Sequence, residues 1–123
     1  MPPANDPALL LPLPHLTYLV LLALARDELH GWAIIKRIRE LTGGATNPSS
    51  GSLYLAMLRL DERGLLEEVP APAEETDERR RFYRLTALGR KVLEAETTRL
   101  AGLVEEAAKQ GVLDARLVRR RKA

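Results

Sequence analysis

The sequence predicts a mainly α, α+β fold in which three short helices lead into a two-stranded hairpin and then one long helix. Three observations carry that expectation. Apolar residues recur at helical spacing in three blocks before residue 64, and two short strand-like runs, residues 65–69 and 81–85, flank a polar loop that opens on Pro70. A last apolar stripe at helical spacing then extends from residue 88 to residue 107. A chain of 123 residues suffices for one core and an appendage.

The elements follow in order. Residues 1–14 hold Pro2, Pro3, Pro7, Pro12 and Pro14, each lacking a backbone donor, and are expected to form a flexible arm. Leu16, Leu19, Val20, Leu22 and Ala23 mark a first helix that Asp27-Glu28 interrupts. A second starts near His30-Gly31, is expected to bury Ile34, Ile35, Ile38 and Leu41, and stops at Gly43-Gly44, leaving Lys36, Arg37 and Arg39 on or beside its wet face. Asn47-Pro48-Ser49-Ser50 is a turn followed by a capping hydroxyl. The third helix then runs to Arg63, with Leu53, Met57 and Leu60 as its core stripe, Tyr54 and Leu58 widening it, and Gly64 as its stop. Residues 65–69 are too short for a helix and read as a strand, as do residues 81–85 beyond the polar loop. Thr86 caps the long helix, whose stripe of Leu88, Val92, Leu93, Leu100, Leu103, Val104 and Ala107 runs to about Gln110.

Composition narrows the function classes. There is no cysteine, hence no disulfide, thiolate metal site or cysteine nucleophile. The longest apolar run, residues 16–25, is about half of the ~20 residues a membrane span needs, so a cytoplasmic protein is expected. Of the net charge of +2, the tail from Asp114 onward contributes +4 through Arg116, Arg119, Arg120, Arg121 and Lys122, which leaves −2 for the rest. Bulk charge therefore argues little, but Arg79, Arg80, Arg81, Arg84, Arg90 and Lys91 fall in a stretch without one acidic residue, a phosphate-sized basic patch. His30 and His15 have no carboxylate cluster beside them, so His30 reads as a helix-start contact and no metal site is expected. Trp32, the sole indole, reads as core or interface packing. Glu74, Glu75, Asp77 and Glu78 read as the solvated tip of the hairpin, in a loop too flexible to preorganise them. No nucleophile is paired with a base, so neither an enzyme nor a cofactor is expected.

Helix, helix, helix, strand, loop, strand is the order of a winged helix-turn-helix domain, here residues 15–86, followed by a long helix at 87–110 and a basic tail at 111–123. A third helix that opens on Ser49, Ser50, Gly51 and Ser52 can approach DNA closely, offering hydroxyls and free backbone donors to phosphates or base edges. Tyr54, Lys36, Arg59 and the hairpin arginines Arg79, Arg80 and Arg81 complete the candidate DNA contacts.

Three segments, Leu29-His30-Gly31-Trp32-Ala33-Ile34-Ile35-Lys36-Arg37-Ile38, Ser50-Gly51-Ser52-Leu53-Tyr54 and Arg81-Phe82-Tyr83-Arg84-Leu85-Thr86-Ala87-Leu88-Gly89, together resemble the PadR family of transcriptional regulators. Trp32 stands where that family usually has tyrosine, Ser50 where it often has proline, and Leu55 where a second proline is common. The last helix carries no aromatic residue from Val92 to Gln110, unlike relatives that clasp flat ligands between interface tryptophans. The resemblance implies a sequence-specific repressor of the short, PadR-like subfamily, binding double-stranded DNA as a homodimer and released by a signal such as a small-molecule effector of unknown identity. The apolar stripe of the last helix continues past what a three-helix head can cover, so Leu93, Leu100, Leu103, Val104 and Ala107 are expected at the dimer contact. The competing reading is a winged-helix interaction module whose basic face meets a protein partner.

Overall fold

The structure is a computed structural model that describes residues 6–114 and 116. A 3-10 turn, Pro7–Leu10, precedes α1 (His15–Ala23), β1 (Leu29–His30), α2 (Gly31–Leu41), α3 (Ser50–Glu62), β2 (Leu66–Val69), β3 (Phe82–Leu85) and α4 (Ala87–Lys109). The tail residues Arg119, Arg120, Arg121 and Lys122 lie outside the described residues.

Local chemistry sets the helix boundaries. His30 caps α2, its Nδ1 accepting the Ala33 N–H at 3.3 Å, which requires a neutral imidazole at that nitrogen. Ser49 caps α3 by accepting the Ser52 N–H, and Thr86 caps α4 by accepting the Gly89 N–H at 3.0 Å. Thr86 also donates its hydroxyl to the Gly64 carbonyl, tying the start of α4 to the turn after α3. That turn needs Gly64: its φ of 72° lets the Leu65 N–H return to the Leu60 carbonyl at 2.9 Å and the Gly64 N–H to Asp61 at 3.0 Å. The chain reverses tightly enough to bury Leu60 and Leu65 together.

The sheet has the order β1-β3-β2 and is antiparallel throughout. Glu68 faces Tyr83 and Val69 faces Phe82 across the β2–β3 hairpin, while Leu29 faces Tyr83 on the other side. β1 has only two residues, too few for alternation to reveal. Between helices and sheet the core gathers Val20, Leu21, Ile34, Ile38, Leu53, Met57, Leu60, Leu65, Leu66, Val92 and Leu93.

Several expectations change in three dimensions. Ile35, about 100° around α2 from the buried Ile34, is only half-buried, and Leu41, the last residue of the helix, is exposed. Tyr54 and Leu58 do not widen the α3 core stripe; both are exposed. Leu93, expected at a dimer contact, is buried in the chain's own core. The described part of the N-terminal stretch, expected to be a flexible arm, is docked. Pro7 occupies the start of the 3-10 turn, where no donor is needed, and Asp6 caps that turn through the Ala8 N–H. Leu10 and Leu11 pack against the core, and Leu13 is buried. The prolines remove donors, but the leucines between them supply the apolar surface that holds the segment down.

A buried carboxylate completes the docking. Glu96 on α4 is 1% exposed, accepts the Leu13 N–H at 2.7 Å through Oε2, and is forked by the Arg99 guanidinium. The Arg99 hydrogen bonds, opposed by burial and aided by the Leu13 N–H, hold the Glu96 pKa below the usual glutamate value. A depressed folded pKa means that this contribution is complete above the ordinary glutamate range and is lost as pH falls through the folded value. Glu96→Gln, which keeps an acceptor but not the charge, is expected to cost about 1–3 kcal/mol at pH 7. The loss should shrink toward zero under acid. Urea midpoints of both proteins at pH 7 and in the acid limb check it: a gap independent of pH would rule out the charge as its source.

Candidate nucleic-acid interface

The outward face of α3 follows from its phase. Each residue turns the helix by about 100°, so with Leu53, Ala56, Met57 and Leu60 buried, Gly51, Leu55, Leu58 and Glu62 form the ridge directly opposite. All four are exposed, as are Ser49, Ser50, Ser52, Tyr54 and Arg59. A β-carbon added at Gly51 would meet no atom within 4 Å, so the first turn is open to close approach. Two of the hydroxyls there are paired locally, Ser49 donating to Ser52 Oγ at 3.0 Å while it caps the helix.

Beside α3 lies a groove of about 340 Å³, lined by the start of α2, the first turns of α3 and the strand end of the hairpin. It brings together Ser50, Tyr54, Arg79, Arg80 and Arg81 with His30, Trp32 and Tyr83. Ser49, Gly51 and Ser52 belong to the same helix start but do not line it, and neither do Lys36 and Arg59. Lys36 instead places its Nζ 5.7 Å from the Trp32 ring centre, a cation–π contact. Trp32 is not core: it is 62% exposed and stacks on His30 at 6.5 Å, while His30 meets Phe82 edge-on at 5.2 Å. Its phase carried the signal, since Trp32 falls about 160° from Ile34 on α2. Burial, reinforced by Arg80, lowers the His30 pKa, which suits its neutral capping role. Burial raises the Tyr83 pKa, with Glu68 adding to the effect, so the phenol stays protonated.

The basic stretch is partly compensated from within. Arg79 binds Asp77 at 3.2 Å, Arg80 binds Glu75 at 3.4 Å, and Arg81 crosses the hairpin to Glu68 at 3.2 Å. The Arg79 hydrogen bonds hold the Asp77 pKa below the usual carboxylate range, so the carboxylate is ionised at neutral pH. The hairpin loop is built rather than loose, with Asp77 N–H donating to Glu75, Arg79 N–H to Asp77 and Arg80 N–H to the Asp77 carbonyl. Arg84 is drawn to Glu67 and Glu28, the Arg90 guanidinium donates to the Ala25 carbonyl, and neither lines the groove beside α3. The pairs of Arg79 and Arg81 are screened by solvent and weak enough to exchange for a phosphate.

Leu103 and Val104 on α4 are exposed, whereas Leu100 and Ala107 are half-buried. Among the described residues no group of three or more histidine or acidic side chains is placed to hold a metal, and no helix is long and apolar enough to cross a membrane.

Three helices, the last with an open first turn, and a hairpin beside it define a winged helix-turn-helix domain carrying a long C-terminal helix. Residues 20–95 match the Transcriptional regulator PadR-like family, and the chain belongs to that family. That family is one of transcriptional regulators. An uncharacterized 37.1 kDa protein in transposon TN4556 of Streptomyces fradiae is 43% identical over 93 residues, which make up 73% of this chain and 25% of that protein. This chain thus spans about a quarter of that relative's length. In fold, a PadR family transcription regulator from Clostridium difficile superposes with a TM-score of 0.68 at 22% identity, over 81% of this chain and 100% of its own. Bacillus subtilis PadR, solved in complex with operator DNA, gives a TM-score of 0.57 at 23% identity, over 67% and 47% of the two chains.

Proposed function

We propose that this chain is a cytoplasmic repressor that binds double-stranded DNA as a homodimer, each α3 entering the major groove of one half-site of a palindromic operator. The observation that carries the reading is the exposed start of α3, with its small residues and free first-turn donors, set beside the hairpin arginines. Ser49, Ser50, Gly51 and Ser52 approach the groove, Tyr54 lends its hydroxyl, and Lys36, Arg59, Arg79, Arg80 and Arg81 supply phosphate contacts. Operator release by an effector belongs to the same reading. The internal ion pairs of the hairpin favour the second reading, a protein partner for this face, because they leave less unspent positive charge.

Gel-shift titration of duplex DNA over a salt series separates the two. Phosphate contacts release counterions, so affinity should fall steeply with salt, with a log–log slope of about −0.9 per contact. Arg79→Ala and Arg81→Ala should each weaken binding to every duplex alike and flatten the slope by about one unit, since hairpin arginines meet phosphate rather than base. Unchanged affinity and slope would remove the hairpin from the interface.

A further inference from the structure

We infer that Leu55 reads a thymine methyl group in each half-site; this rests on the proposed entry of α3 into the major groove. Leu55 is 56% exposed on the ridge opposite the α3 core, and Leu58 follows one turn later at 39%. Core packing therefore does not account for either. Behind Leu55 on the ridge is Gly51, which has no side chain to hold a duplex off, and ahead of Leu58 is Glu62, whose carboxylate would be repelled by phosphate. The part of the ridge able to sit deepest is thus the stretch carrying the two leucines. Neither can donate or accept a hydrogen bond. In the major groove the one base feature such a side chain can recognise is the C5 methyl of thymine. Arg59 on α3 itself is exposed beside the stretch, and Arg81 lines the cleft next to Leu58 together with Glu68 and Asp61, so the occupant the leucines fit is the duplex whose phosphates those two arginines would meet. Leu55 stands closer than Leu58 to the open helix start, so it has the deeper reach.

The test uses the full chain and duplexes that it selects from a random-sequence pool. Replacing thymine by deoxyuridine, one position at a time, deletes the methyl and leaves every hydrogen-bonding group in place. One position per half-site should weaken binding by about fourfold, the factor for exposing one methyl-sized group. Leu55→Ala should bind the thymine duplex more weakly by at least that factor and bind thymine and deoxyuridine duplexes equally, with an unchanged circular dichroism spectrum. The inference is overturned if deoxyuridine is tolerated everywhere by the parent, or if Leu55→Ala still discriminates; DNA binding itself would survive either result. If the chain selects no duplex at all, the DNA reading fails, and the leucine ridge then belongs to a protein partner.

Discussion

Gly89→Ala is expected to unseat α4 from the head. A β-carbon at position 89 would lie 1.9 Å from the Leu65 carbonyl oxygen and 2.8 Å from its carbonyl carbon. Those are backbone atoms, held by the Leu65 N–H bond to Leu60 and by the Thr86 N–H that donates to this same oxygen at 3.2 Å. No flexible side chain can yield, so either α4 moves out or the turn after α3 moves in. Both disturb the Thr86 link and the packing of Val92 and Leu93. Overpacking of this kind costs about 3 kcal/mol or more, equivalent to a fall in Tm of roughly 10 °C for a chain of this size. Gly51→Ala is the control, because its β-carbon would meet nothing within 4 Å. Thermal melts of the two variants should differ widely. Equal melting temperatures would mean that α4 does not rest on Leu65 as described.

The second large effect concerns assembly. The α4 stripe runs past the head: Val92 and Leu93 are consumed by the core, Glu96 holds the docked N-terminal segment, and Leu103 and Val104 are left facing out. Exposed apolar surface on a helix of this length fits a second copy of the chain. Leu100 and Leu103 replaced together by glutamate should place unpaired charges at that contact, at a cost of several kcal/mol, and split the dimer. Because two half-sites are read jointly, the split protein should lose operator affinity by roughly 100-fold or more with every DNA-facing residue intact. Sedimentation and DNA titration on one sample decide the matter. A variant that stays dimeric, or a monomer that binds as tightly as the parent, would contradict the proposed assembly.

What the sequence revealed was whatever depends on near neighbours. The caps at Ser49 and Thr86, the helix start at His30 and the glycine stop at Gly64 are properties of a few adjacent residues, and each was legible. The hairpin was legible from Pro70 and the two apolar runs around it. What escaped depends on contacts between distant segments. Leu13 and Glu96 meet across most of the chain, so the docking of the N-terminal segment and the core position of Leu93 had no local signal. Arg81 finds Glu68 only once the strand register is set, which is why a run free of acidic residues turned out to be partly neutralised. Trp32 and Leu58 are different, because helical phase alone assigns both to outward faces; residue type argued for burial and position argued against it. Position prevailed: Trp32 lines the groove beside α3, and Leu58 lies on the outward ridge of that helix.

Entry of α3 into the major groove should be visible in a footprint of the full chain on duplexes selected from a random pool. Methylation protection reports guanine N7 in the major groove, and hydroxyl-radical cleavage reports the sugars on either side. Two major-groove patches should be protected together, with centres about one helical turn, or a multiple of it, apart. Backbone protection should flank each patch where the hairpin arginines lie. Protection confined to the minor groove, or none at protein concentrations that shift all of the duplex, would contradict it.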